Sequence, residues 1–132
     1  MAMKYSPEFF QPKEFRCPCC GGGQPAALLV LFLETLRRTW DGPVMVNSGY
    51  RCERHNREVG GAPQSRHLLG CAADVRPSSP ELIEPFQFLV GRLAGRLSGW
   101  ELKLYPRFVH VAVPRPEAAC LWDGGLLNLE VK

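Results

Sequence analysis

The chain has 132 residues, of which 45% are hydrophobic, and this length fits a single compact domain over residues 1–132. The formal net charge of +3 comes from 16 Lys and Arg against 13 Asp and Glu without a basic run. The composition therefore gives nucleic-acid binding little support, and we expect no nucleic-acid partner. A mildly cationic surface would equally suit an anionic polymer.

The sequence has no stretch that approaches the roughly 18 consecutive apolar residues of a membrane span. The segment Met1 to Lys13 is polar and interrupted by prolines, unlike a secretion signal. We therefore expect no signal peptide, no membrane association and a protein that is cytoplasmic as synthesised. We also expect a monomer.

The first half of the chain predicts an arm, a helix, a strand and a short helix. Residues 1–24 are expected to form an extended N-terminal arm, because prolines and the glycines of CPCCGGG interrupt regular structure. The run PAALLVLFLETLRRTW, residues 25–40, has apolar residues at helical spacing and a proline in its first turn. The apolar run at residues 44–48 predicts a core strand, and residues 53–58 predict a short polar helix.

The second half of the chain predicts one further helix and four short strands. Strands are expected over residues 71–76, 100–105, 107–113 and 126–131. The helix begins at Pro80, after Ser78 or Ser79, and runs to about Arg96, with Pro85 as a point of disturbance. Helices and strands alternate without a regular βαβ repeat, which favours an α+β fold with a small, mainly antiparallel sheet flanked by helices.

Three residues far apart in the chain form a candidate set of metal ligands. Catalytic zinc takes three ligands from His, Asp, Glu or Cys and keeps one position open for water. His67 and Asp74 lie in SRHLLGCAAD, and His110 lies in FVHVAV. With zinc, this set has a net charge of about +1, enough to acidify water and polarise a carbonyl. Taken singly, a histidine on an apolar strand is more often a core residue, and Asp74 could cap a turn.

The run SGYRCERHNREVGGAPQSRHLLGCAAD, residues 48–74, resembles the signature SxHxxGxAxD of the M15 family of zinc D-Ala-D-Ala carboxypeptidases and related phage endolysins. YPRFVHVAV, residues 105–113, is similar to the segment that supplies the last zinc histidine, and the resemblance extends to FQPKEFRCPCCG. It implies the fold of the hedgehog signalling domain, with His67, Asp74 and His110 as zinc ligands.

The same resemblance implies an activity. A zinc-activated water would cleave a peptide bond next to a D-amino acid in peptidoglycan stem peptides, as a D,D-carboxypeptidase or endopeptidase. It also implies Zn²⁺ as cofactor, a peptidoglycan peptide as partner, and a phage-derived protein that acts on the cell wall. A zinc-containing cell-wall-binding or structural module with weak or no catalysis is the alternative.

Two polar residues match family positions near the substrate. Arg51, in SGYR, matches an arginine that steadies the carbonyl oxygen or the substrate carboxylate, for which a forked, permanently charged guanidinium is suited. Ser65 matches a serine near the substrate, although a loop hydroxyl that bonds its own backbone is the competing interpretation. His55 has no ligand counterpart.

The general base that a zinc peptidase needs is missing from its usual places. Similar sequences place a carboxylate three residues before the last zinc histidine, a histidine two before it, or an aspartate two after it. This chain has Arg107, Phe108 and Ala112 there. Glu101, in the preceding strand, is the candidate replacement, because an antiparallel neighbour could bring its carboxylate over the metal. A solvated strand residue is the alternative.

The six cysteines allow several readings. Cys17, Cys19 and Cys20 are similar to half of a thiolate zinc site, which Cys52 could complete, but a clean CxxC repeat is missing. A structural disulfide or reduced thiols remain open. Cys71 is expected to pack as a small hydrophobe.

Overall fold

The computed structural model describes residues 2–114 and 121–130. Within these ranges, short 3₁₀ turns at Pro12–Phe15, Arg66–Leu69 and Pro80–Leu82 connect helices and strands. The α-helices are α1 (Ala27–Trp40), α2 (Glu53–Glu58) and α3 (Ile83–Ala94). The strands are β1 (Ala2–Tyr5), β2 (Val44–Ser48), β3 (Ala72–Pro77), β4 (Glu101–Leu104), β5 (Val109–Ala112) and β6 (Leu127–Glu130). None of the helices in the described part of the chain is long and apolar enough to cross a membrane.

A four-stranded antiparallel sheet forms the centre of the molecule, with the strand order β2-β3-β5-β4. Side chains alternate between its two faces because of the two-residue period of a strand. Val75, Val109 and Val111 are fully buried in the core with α1 and α3. Asp74 and His110 belong to the opposite face. The expected α+β fold with an antiparallel sheet and helices is confirmed.

A second, two-stranded sheet pairs β1 with β6 in antiparallel register. The sequence predicts the last strand but not this partner, because β1 belongs to the segment expected to be an extended arm. Val131, the last residue of the predicted strand, lies outside the described residues. The arm therefore contains a strand and the 3₁₀ turn Pro12–Phe15 in addition to extended chain.

The buried carboxylate of Glu34, on α1, holds the arm in place. Its oxygens accept hydrogen bonds from the backbone N–H groups of Glu8, Phe9 and Phe10 at 2.7, 2.8 and 3.1 Å, and from the hydroxyl of Tyr5 at 3.2 Å. A buried charge is tolerated only when such partners replace water. Glu34 thus connects the N-terminal segment to the main core.

Most predicted elements lie where the patterns indicate, with small shifts at their ends. The bounds of β2 and α2 are those predicted. The helix expected from Pro80 begins as a 3₁₀ turn and continues as α3 to Ala94, two residues short of the predicted end at Arg96. Pro85 does not disturb it, since it occupies the first turn of α3, where backbone N–H groups have no partner within the helix.

Candidate metal centre

The pairing of β3 with β5 brings two of the candidate ligands together. Asp74 and His110 are directly opposite in the antiparallel register, so their side chains project from the same face of the sheet. Nδ1 of His110 lies 3.0 Å from Oδ1 of Asp74. Residues 36 positions apart in the sequence are therefore neighbours because of strand register alone.

His67 reaches the same point from the 3₁₀ turn that precedes β3. Gly70 ends this turn with φ of 74°, a left-handed conformation that glycine adopts without strain. The Ser65 hydroxyl oxygen caps the turn by accepting a hydrogen bond from the backbone N–H of His67 at 3.2 Å. Nε2 of His67 then lies 3.2 Å from Oδ1 of Asp74. Residues 67 and 74 can lie side by side, although only a short segment separates them, because the chain turns tightly between them.

The ring nitrogen of His67 that faces away from Asp74, its outer nitrogen, has a fixed hydrogen-bond partner. Nδ1 lies 2.7 Å from the carbonyl oxygen of Gly49, which can only accept a hydrogen bond. In the neutral ring Nδ1 is therefore the protonated nitrogen, which leaves Nε2, beside Asp74, as the nitrogen that could bind an ion. Metal-binding histidines commonly have this arrangement, because the outer hydrogen bond orients the ring and selects the tautomer.

The three side chains form a compact and almost fully buried set. One potential ligand atom from each of His67, Asp74 and His110 lies within 4.8 Å of the others. The two imidazole rings are tilted, with centroids 5.2 Å apart, and do not stack. Two imidazole nitrogens and a carboxylate oxygen are the donors that zinc accepts in open, catalytic sites. The donor set therefore fits a zinc ion.

Glu101 contacts the outer nitrogen of His110. Its Oε1 lies 3.0 Å from Nε2 of His110, on the side of the ring away from Asp74. Arg66 holds this carboxylate in turn: its Nε lies 3.6 Å from Oε2, and its Nη1 donates to the carbonyl oxygen of Gly99 at 2.7 Å. Glu101 thus contacts the ring nitrogen of His110 that faces away from Asp74, just as the Gly49 carbonyl contacts the corresponding nitrogen of His67.

Burial and the contacts around His110 shift the pKa values of three residues, Asp74, Glu101 and His110. Burial raises the pKa of Asp74, but hydrogen bonds from His110 and His67 outweigh it and hold the pKa far below its ordinary value. Burial also raises the pKa of Glu101, but its hydrogen bond with His110 and the charge of Arg66 lower the pKa overall. Burial lowers the pKa of His110, yet its bonds to Asp74 and Glu101 raise it. A proton on His110 is therefore favoured until a metal ion replaces it.

Arg51 secures the second oxygen of Asp74. Its Nη2 lies 3.1 Å from Oδ2 of Asp74, while its Nε donates to the Ser48 hydroxyl at 3.0 Å and its Nη1 donates to the Asn56 amide oxygen at 3.4 Å. The three contacts use the forked geometry of the guanidinium. Arg51 therefore lies beside the ligand set and is not a solvated surface arginine.

An open cleft of about 350 Å³ gives access to the ligands. Its charged lining consists of the cations Arg51, Arg66 and Lys103 and the carboxylates Asp74 and Glu101. Ser65 also lines it. At the rim, the rings of Tyr105 and Phe108 stack with centroids 4.5 Å apart. The cleft therefore offers an apolar wall and an excess of positive charge to a bound molecule.

Similar sequences carry proton-handling residues at three positions where this chain has Arg107, Phe108 and Ala112. Phe108 lines the cleft as an apolar ring. Ala112 is fully buried and pairs with Glu101 across the strands. Arg107 is exposed and lines a separate cavity with Arg76. Among the residues that the structure describes, Asp74 and Glu101 are the carboxylates that line the cleft.

Comparison with known families agrees with this geometry. A sequence model of the family described as Peptidase M15 matches residues 8–112. The chain belongs to this family. A search of curated proteins finds no match. Membership supports a peptidase with a peptide substrate, and M15 peptidases are generally zinc-dependent, in agreement with the candidate ligands His67, Asp74 and His110.

Sequence reasoning misses the residues that orient the site. Gly49, Asn56 and Arg66 contact a ligand or its partner, yet none has a side chain or position that suggests metal chemistry. Arg66 precedes His67 directly, and Gly49 lies in the SGYR segment, so proximity to the motif is the one available signal. His55, in α2, is not part of the cleft lining.

Proposed function

We propose that this protein is a zinc peptidase that hydrolyses a peptide bond next to a D-amino acid in peptidoglycan stem peptides. The observation that carries the proposal is the convergence of His67, Asp74 and His110 in an open cleft, with potential ligand atoms within 4.8 Å of one another. Family membership supports the peptidase class. The D-amino-acid specificity rests on the resemblance of the SxHxxGxAxD segment to D-Ala-D-Ala carboxypeptidases.

The protein residues would hold and orient the ion without rearranging the sheet. A bound zinc ion supplies Lewis acidity and lowers the pKa of water. Nε2 of His67, a carboxylate oxygen of Asp74 and Nδ1 of His110 are the proposed ligand atoms, because the other ring nitrogens engage Gly49 and Glu101. Asp74 keeps its second oxygen for Arg51. Each ligand is thus oriented by a neighbour before the ion binds.

The cleft lining supports an anionic peptide as substrate. Arg51, Arg66 and Lys103 outnumber the two carboxylates, so the chain contributes a net charge of about +1 there even before the ion is counted. A terminal carboxylate or a developing oxyanion would be stabilised by this excess, with Arg51 the proposed donor. The Ser65 hydroxyl can donate to a peptide carbonyl, and the stacked Tyr105 and Phe108 can cover apolar side chains.

Glu101 is the proposed proton acceptor, with a second role in positioning His110. It is the carboxylate other than Asp74 that lines the cleft in the described part of the chain. It contacts His110 and Arg66, so it would have to leave the imidazole to take a proton from water. This requirement predicts slow turnover.

The direct experiment measures release of D-alanine from synthetic stem peptides and solubilisation of peptidoglycan by the zinc-loaded protein. We expect zinc-dependent release that His67→Ala abolishes while the circular dichroism spectrum is retained. His55→Ala is the matched control, because this histidine lies outside the cleft lining, and its activity should equal that of the wild type. Absence of turnover on all peptidoglycan types would overturn the proposal.

A second candidate function is a wall-binding module that keeps the metal site but does not cut. Arg107, Phe108 and Ala112 favour it, because each replaces a proton-handling residue of similar sequences. Co-sedimentation with peptidoglycan without peptide release would select this function. Zinc-dependent release would exclude it.

A further inference from the structure

A second group of potential metal ligands lies where the N-terminal arm meets the loop that follows β2, outside the cleft lining. The Sγ atoms of Cys17, Cys20 and Cys52 lie within 4.8 Å of one another. Those of Cys17 and Cys52 are 3.6 Å apart, although the two residues are separated by 35 positions in the sequence. No cysteine pair in the described ranges is bonded as a disulfide.

Cys19, whose side chain is exposed, lies between Cys17 and Cys20 in the segment CPCC and is therefore adjacent to this group in the chain. The neighbouring thiols of Cys52 and Cys17 act on it electrostatically. Burial and these interactions raise the pKa of Cys19, while the charge of Arg54 opposes them. The thiols of Cys17, Cys20 and Cys52 therefore share one small volume, and that of Cys19 is the adjacent candidate for a fourth ligand.

Backbone N–H groups point at these sulfur atoms. Gly22 donates to Sγ of Cys20 at 3.4 Å, and His55 donates to Sγ of Cys52 at 3.4 Å. Burial raises the pKa of the Cys17 thiol, but the N–H groups of Cys52, Cys20 and Cys19 outweigh it and bring the pKa to about 7. The N–H of Gly22 lowers the pKa of Cys20, but burial and the neighbouring thiols of Cys17 and Cys52 raise it overall. Cys17 is thus the thiol whose surroundings favour the thiolate, the form that binds metal ions.

The spacing of the sulfurs agrees with a shared ion. Zinc binds thiolate sulfur at about 2.3 Å, so the edge of a tetrahedron of four sulfurs is roughly 3.8 Å. The separation of 3.6 Å between Cys17 and Cys52 is close to this edge and well beyond the roughly 2.05 Å of a disulfide. We propose that Cys17, Cys19, Cys20 and Cys52 form a second, structural site for a thiophilic divalent ion, zinc in the first instance.

The ion would fix the loop that supports the candidate metal centre. Cys52 directly follows Arg51, and the backbone N–H of Tyr50 donates to the carbonyl oxygen of Phe15 at 2.8 Å, next to the cysteine segment. The same loop contains Gly49, whose carbonyl orients His67. A four-thiolate site leaves no position open for water, so its role is structural.

The experiment measures metal content and cobalt absorption on full-length protein kept reduced. We expect two ions per chain in the wild type, one for each ligand group. The double variant His67→Ala/His110→Ala should keep one cobalt ion and show the near-ultraviolet sulfur-to-cobalt charge-transfer absorption of thiolate ligands. Cys17→Ser/Cys52→Ser should lose that absorption and one ion per chain. Cys71→Ser, a buried cysteine outside the group, should match the wild type.

A measurement on the wild type keeps the test independent of folding defects in the variants. The exposed thiols of Cys19 and Cys20 should be protected from alkylation by zinc and become reactive when a chelator removes it. Failure of the histidine variant to bind cobalt through sulfur, alkylation that zinc does not slow, or a disulfide between Cys17 and Cys52 in protein purified under reducing conditions would each overturn the second site. None of these outcomes bears on the histidine site, so the two proposals fail separately.

Discussion

The Glu101 carboxylate lies 3.0 Å from Nε2 of His110, and the residue paired with Glu101 across the strands is Ala112. Many sequences that resemble this chain have an aspartate at the position of Ala112, two residues after the last histidine. Since cross-strand partners project from one face, Glu101 supplies a carboxylate from β4 to the region where those sequences supply one from β5. Glu101 thus places a carboxylate beside His110, the third candidate ligand.

Removing this carboxylate should weaken zinc binding. In Glu101→Gln the outer nitrogen of His110 loses its charged acceptor, so we expect zinc affinity to fall by about 10- to 100-fold. Competition with a chromogenic chelator on protein that lacks the four clustered thiols measures this affinity. Glu84→Gln, an exposed carboxylate on α3, is the matched control and should have no effect. An unchanged affinity in Glu101→Gln would show that the contact does not orient the ligand.

A carboxylate placed on β5 at position 112 should restore part of the zinc affinity that Glu101→Ala removes. Ala112→Asp alone places a buried carboxylate directly opposite Glu101, and such like charges destabilise a strand pair. The double variant Glu101→Ala/Ala112→Asp lacks this repulsion and should unfold at a higher temperature than Ala112→Asp, with stronger zinc binding than Glu101→Ala. Strictly additive effects of the two changes would show that the positions are not interchangeable.

The contact between Arg51 and Asp74 should be sensitive to a conservative change. Lysine cannot contact Ser48, Asn56 and Asp74 together, so Arg51→Lys should lower the free energy of unfolding by about 1–3 kcal/mol. Urea denaturation of the metal-free protein measures this. Arg54→Lys changes an exposed i,i+4 pair with Glu58 and should matter little. Equal losses in the two variants would contradict the assigned role of Arg51.

Metal-free and zinc-loaded protein should respond to pH in opposite directions. The pKa of His110 is raised in the folded protein, so its stabilising contribution is full below its unfolded value of about 6.5 and is lost as pH rises through the folded value. Zinc must displace the same proton, so its stabilising effect should grow over that interval. Thermal unfolding with chelator or with zinc, across neutral pH, tests this.

A His110→Gln variant gives the baseline for the pH experiment, since it removes the titrating group. The difference between wild type and variant in chelator should shrink as pH rises. If that difference stays constant, the carboxylates do not hold a proton on His110.

Replacing the buried Glu34 should release the N-terminal arm. Glu34→Ala leaves the N–H groups of Glu8, Phe9 and Phe10 without their acceptor, and we expect a loss of about 2–4 kcal/mol in the free energy of unfolding. Limited proteolysis should then cut the arm faster than in the wild type. Equal cleavage rates would show that the arm is held by other contacts.

The elements of the main sheet are predictable because their apolar runs are bounded by strong breakers. β2 ends before Gly49, and Gly70 turns the chain into β3. The pairing of β1 with β6 is not predictable. Four-residue strands at opposite ends of the chain have no sequence pattern that indicates which strand each of them pairs with. The burial of Glu34 is not predictable from the sequence either. A glutamate in a helix is ordinarily solvated, and only the folded arm shows that this one is buried.

The candidate ligands can be selected from sequence because their residue types and spacing are restricted by metal chemistry. Their orientation cannot, since the acceptor for His67 is a backbone carbonyl and the acceptor for His110 comes from another strand. The same holds for the thiols. The sequence offers Cys52 as a possible partner of the CPCC thiols, but only the fold shows that it lies beside Cys17, 35 positions earlier in the chain.

The most direct test of the central claim is an anomalous diffraction map, measured at the zinc absorption edge, of crystals grown with zinc. We predict a peak at about 2.0–2.2 Å from Nε2 of His67, a carboxylate oxygen of Asp74 and Nδ1 of His110. A map without density between these three residues, from crystals that contain zinc elsewhere, would contradict the account.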